Sequence, residues 1–183
     1  MPAVHRDPDA YRHLLALRVV RRFRPDPIPP EEMEALLEAG RWTGSSKNRQ
    51  GWAFVLVDDR AGRERLASAG NFTGPVVASV ATVALVRLPG GNDFDLGRVA
   101  QNIMLAAAAR GIGSCPIAFH RPEQTAEILG LPEGHNCTWA VALGYPDEDA
   151  EEEQRRQAAA AGFTGRRPLD ELVHRGRFGG TAS

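Results

Sequence analysis

Asp95-Leu-Gly-Arg-Val-Ala-Gln-Asn-Ile-Met-Leu-Ala-Ala-Ala-Ala-Arg-Gly-Ile-Gly-Ser-Cys-Pro-Ile-Ala-Phe119 carries the plainest structural signal in the chain. Val99, Ile103, Met104 and Ala107 recur at spacings of three and four, which predicts an amphipathic helix from Leu96 to Arg110 capped by Asp95. Gly111-Ile112-Gly113 closes that helix and leads into an apolar strand, Ser114 to Phe119. The same alternation continues on both sides. Upstream, Trp52 to Val57 is a continuous apolar run that reads as a buried strand, Asp58 to Ala67 as a helix, and Pro75 to Val86 as a second, longer strand. Downstream, Pro122 opens a helix ending at Leu129, and Thr138 to Leu143 forms a fourth strand. Helices alternating with apolar strands predict an α/β or α+β protein whose sheet is covered on both faces.

The ends of the chain fit around this centre. Asp7-Pro8 starts a short helix that includes Tyr11, Leu14, Leu15 and Leu17, and Pro25-Asp-Pro-Ile-Pro-Pro30 is an extended connector. Glu31, Glu32 and Glu34 occupy the first turn of the next helix, where the helix dipole favours acids, and its apolar stripe is Met33, Leu36 and Leu37. Gly40 ends or thins it. Asp147 to Gln157 is charged and then alanine-rich, so it reads as a solvated helix or a mobile linker. Pro168 to Val173 is a last apolar piece.

At 183 residues, with 43% hydrophobic and 25% charged, the chain reads as one domain, 1–183. The formal net charge of -1 gives no field that favours nucleic acid. Cys115 and Cys137 each sit in an apolar stretch and read as buried free thiols of a reducing compartment. Met1 to Arg12 has no apolar signal-peptide core, and no window reaches the ~18 apolar residues of a membrane span. The expected location is cytoplasmic, with neither a membrane nor a nucleic acid as partner.

Three clusters could carry chemistry. Arg18, Arg21 and Arg22 are spaced i, i+3, i+4, so at a helix end their guanidiniums could converge on a phosphate; the alternative is a solvated basic face. Ser45, Ser46, Asn48 and Gln50 put donors and acceptors in a loop before a buried strand, as either a ligand-reading loop or an ordinary polar turn. In Gly111 to Ala118, two glycines permit close backbone approach, and Pro116 blocks strand pairing at its own position, which would free amides near Ile117 and Ala118. Arg166 and Arg167 add a second basic pair near the C-terminus. The five histidines show no zinc-ligand spacing, and no Gly-x-Ser-x-Gly elbow, Walker loop or Gly-x-Gly-x-x-Gly occurs.

The order of these clusters resembles FMN-dependent nitroreductases. Arginines before Phe23 and a Pro-x-Pro connector, then Ser45-Ser46-x-Asn48-x-Gln50-x-Trp52, are similar to that family's opening. Ala100-Gln-Asn-Ile-Met-Leu-Ala106 and Gly111-Ile-Gly-Ser-Cys-Pro116 look like its central helix and flavin loop. Leu129-Gly-Leu-Pro-Glu-Gly134, Ala142-Leu-Gly-Tyr-Pro146 and Arg166-Arg-Pro-Leu-Asp-Glu-Leu-Val-His174 complete the resemblance, which runs over roughly residues 10 to 175. Three departures stand out. Leu17-Arg18-Val19-Val20-Arg21 lacks the first arginine and the serine of the family's Arg-Arg-Ser-x-Arg, Gly51 replaces a proline, and Val86 to Asp95 is short.

The resemblance implies a nitroreductase-like α+β fold, a three-layer α/β/α sandwich with a mixed, mainly antiparallel sheet in an intertwined homodimer. It implies a mobile linker at 147–165 and a C-terminal extension, 166–183, that contacts the partner subunit. It implies that Arg18 with Arg21 or Arg22 holds the FMN phosphate from one side and Arg166 or Arg167 from the other. Ser45, Ser46, Asn48 and Gln50 would reach the flavin from the partner, and backbone at Pro116, Ile117 and Ala118 would line the ring near N5. The implied activity is reduction of a small organic acceptor, a nitroaromatic, quinone or similar molecule, by NADH or NADPH in a ping-pong cycle. No side chain is assigned as acid or base, because the flavin supplies the chemistry. The rival readings are an FMN-dependent dehydrogenase, oxidase or dehalogenase for one metabolite, and a non-catalytic flavin-binding protein.

Overall fold

In the computed structural model, which describes residues 7–163 and 165–180, the elements run α1 (Pro8–Ala16), α2 (Pro30–Arg41), β1 (Trp52–Val57), α3 (Arg60–Ala67), α4 (Gly74–Ala78), β2 (Ala81–Arg87), α5 (Asp93–Ala109), β3 (Gly113–Ala118), α6 (Pro122–Leu129), β4 (Asn136–Gly144) and α7 (Glu148–Ala160). Residues up to Glu151 form one compact unit and those from Glu152 onward a second. None of the described helices is long and apolar enough to cross a membrane.

The four strands lie in the order β1-β2-β4-β3, and all three pairings are antiparallel. Among the described residues the sheet is thus wholly antiparallel, in keeping with the mainly antiparallel sheet expected. Strand alternation sends successive residues of β2 to opposite faces. Val83 and Leu85, with Val141 and Leu143 of β4, meet Leu36 of α2 and Val99 and Ile103 of α5. Ala84, Val86, Ala140 and Ala142 meet Leu66 of α3 and Val76 of α4 on the other face. Each large side chain buried this way contributes roughly 1.5–3 kcal/mol, and two such layers make the sheet the middle of a three-layer sandwich. Where α2 crosses α5, Gly40 gives the room: a Cβ there would meet Ile103 and Phe54 at 3.0 Å.

Two boundaries differ from the sequence expectation. Asn92, not Asp95, caps α5; its Oδ1 accepts from the Asp95 N–H and its Nδ2 donates to Asp95 Oδ2, each at 2.9 Å, so Asp95 is the far half of a reciprocal cap. The long strand expected from Pro75 is split. Pro75 starts the short helix α4, and the Ser79 hydroxyl donates to the Val76 carbonyl before β2 begins. Valine-rich sequence alone does not separate these outcomes; a proline that suits a first helical turn decides it. Asp147 to Gln157, which the sequence leaves open between helix and linker, falls almost wholly in a helix, Glu148–Ala160.

Candidate functional site

Helix α1 stops at Ala16, and Leu17 turns to a ψ of 128°. The chain then runs extended over one end of β3 and β4. Val20 N–H donates to Ser114 O and Arg24 N–H to Tyr145 O, both at 2.9 Å. Buried Glu151 accepts from the N–H groups of Arg21 and Arg22 at 2.5 and 2.6 Å. Gly113 and Gly144, which face each other across the β3–β4 ladder, form the seat: a Cβ on Gly113 would meet Val20 at 2.7 Å, and one on Gly144 would meet Phe23 at 2.9 Å. The close approach that the Gly-x-Gly permits is therefore to the chain's own Val20. Gly111, at φ +70°, follows the end of α5.

Because the segment is extended, its side chains alternate, and the convergence expected from helical spacing does not form. Arg18, Val20 and Arg24 line a recess of about 670 Å³ that also presents Asp147, Glu148 and Asp149. Val19 and Arg21 line another, of about 500 Å³, floored by Cys115 to Ala118 and flanked by Phe72 and His120. The Arg22 side chain is exposed. Arg18 donates to the carbonyls of Leu15 and Leu17, whereas no hydrogen bond or ion pair holds the Arg21 guanidinium among the described residues. Leu17 and Val19, which stand where the resemblance expects arginine and serine, line an apolar recess with Leu96, Ala100, Met104 and Trp139.

The recess at Arg21 is rich in donors. Phe119 N–H donates inward to Thr138 O of β4, while Ser114 O is bonded from the other side by Val20, so alternation turns the backbone of Ser114, Pro116 and Ala118 outward. This corrects the expectation for Pro116. It pairs in register with Val141, and its missing N–H faces the open edge, where no ladder bond is lost. The outward Ala118 N–H stays. His120, which no sequence motif marks, also lines this recess; its Nδ1 accepts from the Asn71 N–H at 3.3 Å, and its ring meets Phe72 edge-on at 6.2 Å. Burial pushes the Cys115 thiol up to about 11, partly offset by the Arg21 charge. Both cysteines are free and buried, as expected.

The loop before β1 is tightly wound. Lys47, Asn48 and Gln50 have positive φ near 50°, a costly conformation for residues with a Cβ. The Ser45 hydroxyl accepts from the Gln50 N–H at 2.8 Å and braces the turn. Ser46, Asn48 and Gln50 are exposed, and Gln50 lines a groove along β1 with Arg41 and Trp52. Within one chain these residues do not share a recess with Pro116, Ile117 and Ala118. Gly51 and Gly91 lie back to back, Leu88 N–H donating to Gly51 O, so the glycine in place of proline and the short β2–α5 connection are one feature. In the second unit, Arg166 donates to Gly165 O and Arg167 pairs with Glu171 at 3.1 Å, all exposed.

The family model described as Nitroreductase family matches residues 17–71 and 86–145, which takes in the arginine segment, the Ser45 loop, α5 and the β3–β4 ladder. The chain belongs to the nitroreductase family. Membership makes it an oxidoreductase. It is 32% identical over 165 residues to the NADPH-flavin oxidoreductase of Vibrio harveyi, covering 79% of this chain and 69% of that protein. It is 28% identical over 143 residues to a putative NADH dehydrogenase/NAD(P)H nitroreductase of Archaeoglobus fulgidus, covering 72% and 82%. The solved NADPH:FMN oxidoreductase from Vibrio harveyi, complexed with NAD+, superposes with a TM-score of 0.79 at 25% identity, over 92% of this chain and 77% of that one. The nitroreductase fold thus holds despite the altered arginine segment.

Proposed function

We propose that this chain binds FMN in the recess floored by Pro116 to Ala118 and uses NADH or NADPH to reduce a small organic acceptor such as a nitroaromatic or quinone. The observation that carries the reading is the pairing, in one recess with no carboxylate side chain in its lining, of the outward Ala118 N–H and the unengaged Arg21 guanidinium. Such a donor set suits an acceptor-rich, anionic ligand. When bound, FMN supplies hydride transfer at its N5. The chain's own part is to bind and orient. Ala118 directs a donor at the ring, Arg21 holds positive charge beside it, and Ile117 and Phe119 close the floor from within. Arg18 is the weaker candidate for the phosphate, since three acids share its recess.

Ser46, Asn48 and Gln50 are assigned to the same flavin from a second copy of the chain, because one chain does not bring them to the recess. A homodimer also gives cover to Leu169, Leu172 and Val173, which are 74%, 52% and 48% exposed. Donor and acceptor take turns in one site, which gives ping-pong kinetics.

Purified protein is expected to be yellow with one FMN per chain, to bleach on anaerobic titration with NADH or NADPH, and to give parallel double-reciprocal plots. Colourless protein that takes up no added FMN sinks the reading. Bound FMN that neither nicotinamide reduces leaves a flavin-binding protein without this activity.

A further inference from the structure

We infer that His120 is a hydrogen-bond donor to the flavin ring and tunes its redox potential. The inference rests on the FMN reading above. An N–H can donate only to an unprotonated ring nitrogen, so the Asn71 amide on Nδ1 leaves the proton on Nε2. The imidazole thus presents a donor on the side away from Asn71, and it lines the recess that holds Arg21 and Ala118.

Its support is rigid. The N–H groups of His120 and Arg121 both donate to Ala69 O at 3.0 Å. The Arg121 guanidinium reaches back to Gly70 O and to Asn71 Oδ1, each at 2.9 Å, tying the residue that sets the tautomer to the residue after His120. Phe72 packs edge-on against the ring. A donor held this firmly pays little reorganisation when the ligand arrives. The Ala118 N–H and the His120 Nε2–H then offer donors to the acceptor edge of the ring, and a donor at a ring carbonyl favours the more electron-rich reduced form.

The test is the midpoint potential of the FMN-loaded protein, with FMN affinity measured separately by absorbance titration. His120→Leu should weaken binding of reduced relative to oxidised FMN about tenfold, a downward shift of about 30 mV for a two-electron couple. His120→Gln, whose amide can occupy the Nε2–H position, should stay within about threefold of wild type. His120→Leu loaded with FMN at the wild-type potential overturns the proposal, and so does equal loss of affinity for both redox forms, which marks a merely structural residue. Wild-type imidazole ¹⁵N spectra give a readout without any variant. The Nε2–H tautomer should be present and its resonance should move on adding FMN; the other tautomer, or an unmoved resonance, overturns the proposal. Wild type that takes up no FMN fails the underlying reading as well, whereas normal uptake with His120 unmoved fails this inference alone.

Discussion

The two sides of the segment from Leu17 to Arg24 have similar composition and opposite chemistry. One presents Arg18 and Arg24 to a recess containing Asp147, Glu148 and Asp149, where the acids outnumber the arginines and a phosphate would meet three carboxylates. The other presents Arg21 to a recess with no carboxylate side chain in its lining, where the Ala118 N–H also faces outward. Chain direction makes the difference: an extended backbone sends neighbouring residues apart, so two arginines three positions apart serve different surroundings. A count of basic residues therefore says little about an anion site until the backbone conformation is known.

The comparison breaks most readily at its anchor. Glu151→Ala leaves two partly buried N–H groups without their charged acceptor, and we expect a loss of about 1–3 kcal/mol in denaturant-measured stability. Stability within error of wild type would show that the segment is held elsewhere. Arg21→Ala should lower FMN affinity by about 10- to 150-fold, the loss of roughly 1.5–3 kcal/mol from a charge-assisted contact, while Arg18→Ala stays within about threefold. Riboflavin binding sharpens the result. If only FMN weakens, Arg21 faces the phosphate; if both weaken alike, it faces the ring. Equal losses at Arg18 and Arg21 would erase the distinction between the two sides.

Gly113→Ala pushes a methyl into Val20, and overpacking of this kind costs about 1–3 kcal/mol, which thermal melts should show as a lower Tm. The smallest effect concerns pH. Cys115 and Cys137 ionise more readily unfolded, near the usual 9.0, than folded, at about 11 and about 12. The sign follows: stability is unaffected by these groups below pH ~9 and falls as pH rises from there toward the folded values. Urea midpoints between pH 8 and 11 check this. Arg21→Ala, unlike Arg18→Ala, should also slow the residual alkylation of Cys115, because it removes the charge that draws that thiol down.

The layered fold was legible because Val83, Leu85, Val99 and Ile103 declare their periodicity over long, uninterrupted runs. Trp52–Val57 and Pro122–Leu129 emerged at their expected bounds for the same reason. Local chemistry defeated the reading where two residues compete for one job, as Asn92 and Asp95 do at the start of α5, or where one proline outweighs a valine-rich context, as at Pro75. At the site, Pro116 to Ala118 could be marked from the Gly-x-Gly and the proline. The split of Arg18 from Arg21 could not, because it depends on Glu151 and Gly144, more than 100 residues away in sequence. His120 has no signature in the sequence, because its placement depends on contacts with Ala69 and Asn71, about 50 residues away.

The bond from Glu151 to the Arg21 N–H spans 130 residues. At typical synthesis rates of ~5–20 residues per second, the arginine segment leaves the ribosome roughly 6–26 s before its carboxylate exists. Val20, Phe23 and Arg24 also wait, for Ser114, Gly144 and Tyr145, which are made shortly before Glu151. The recess at Arg21 is therefore among the last parts of a nascent chain that can close, and any ligand it holds has to wait until α7 has begun to emerge.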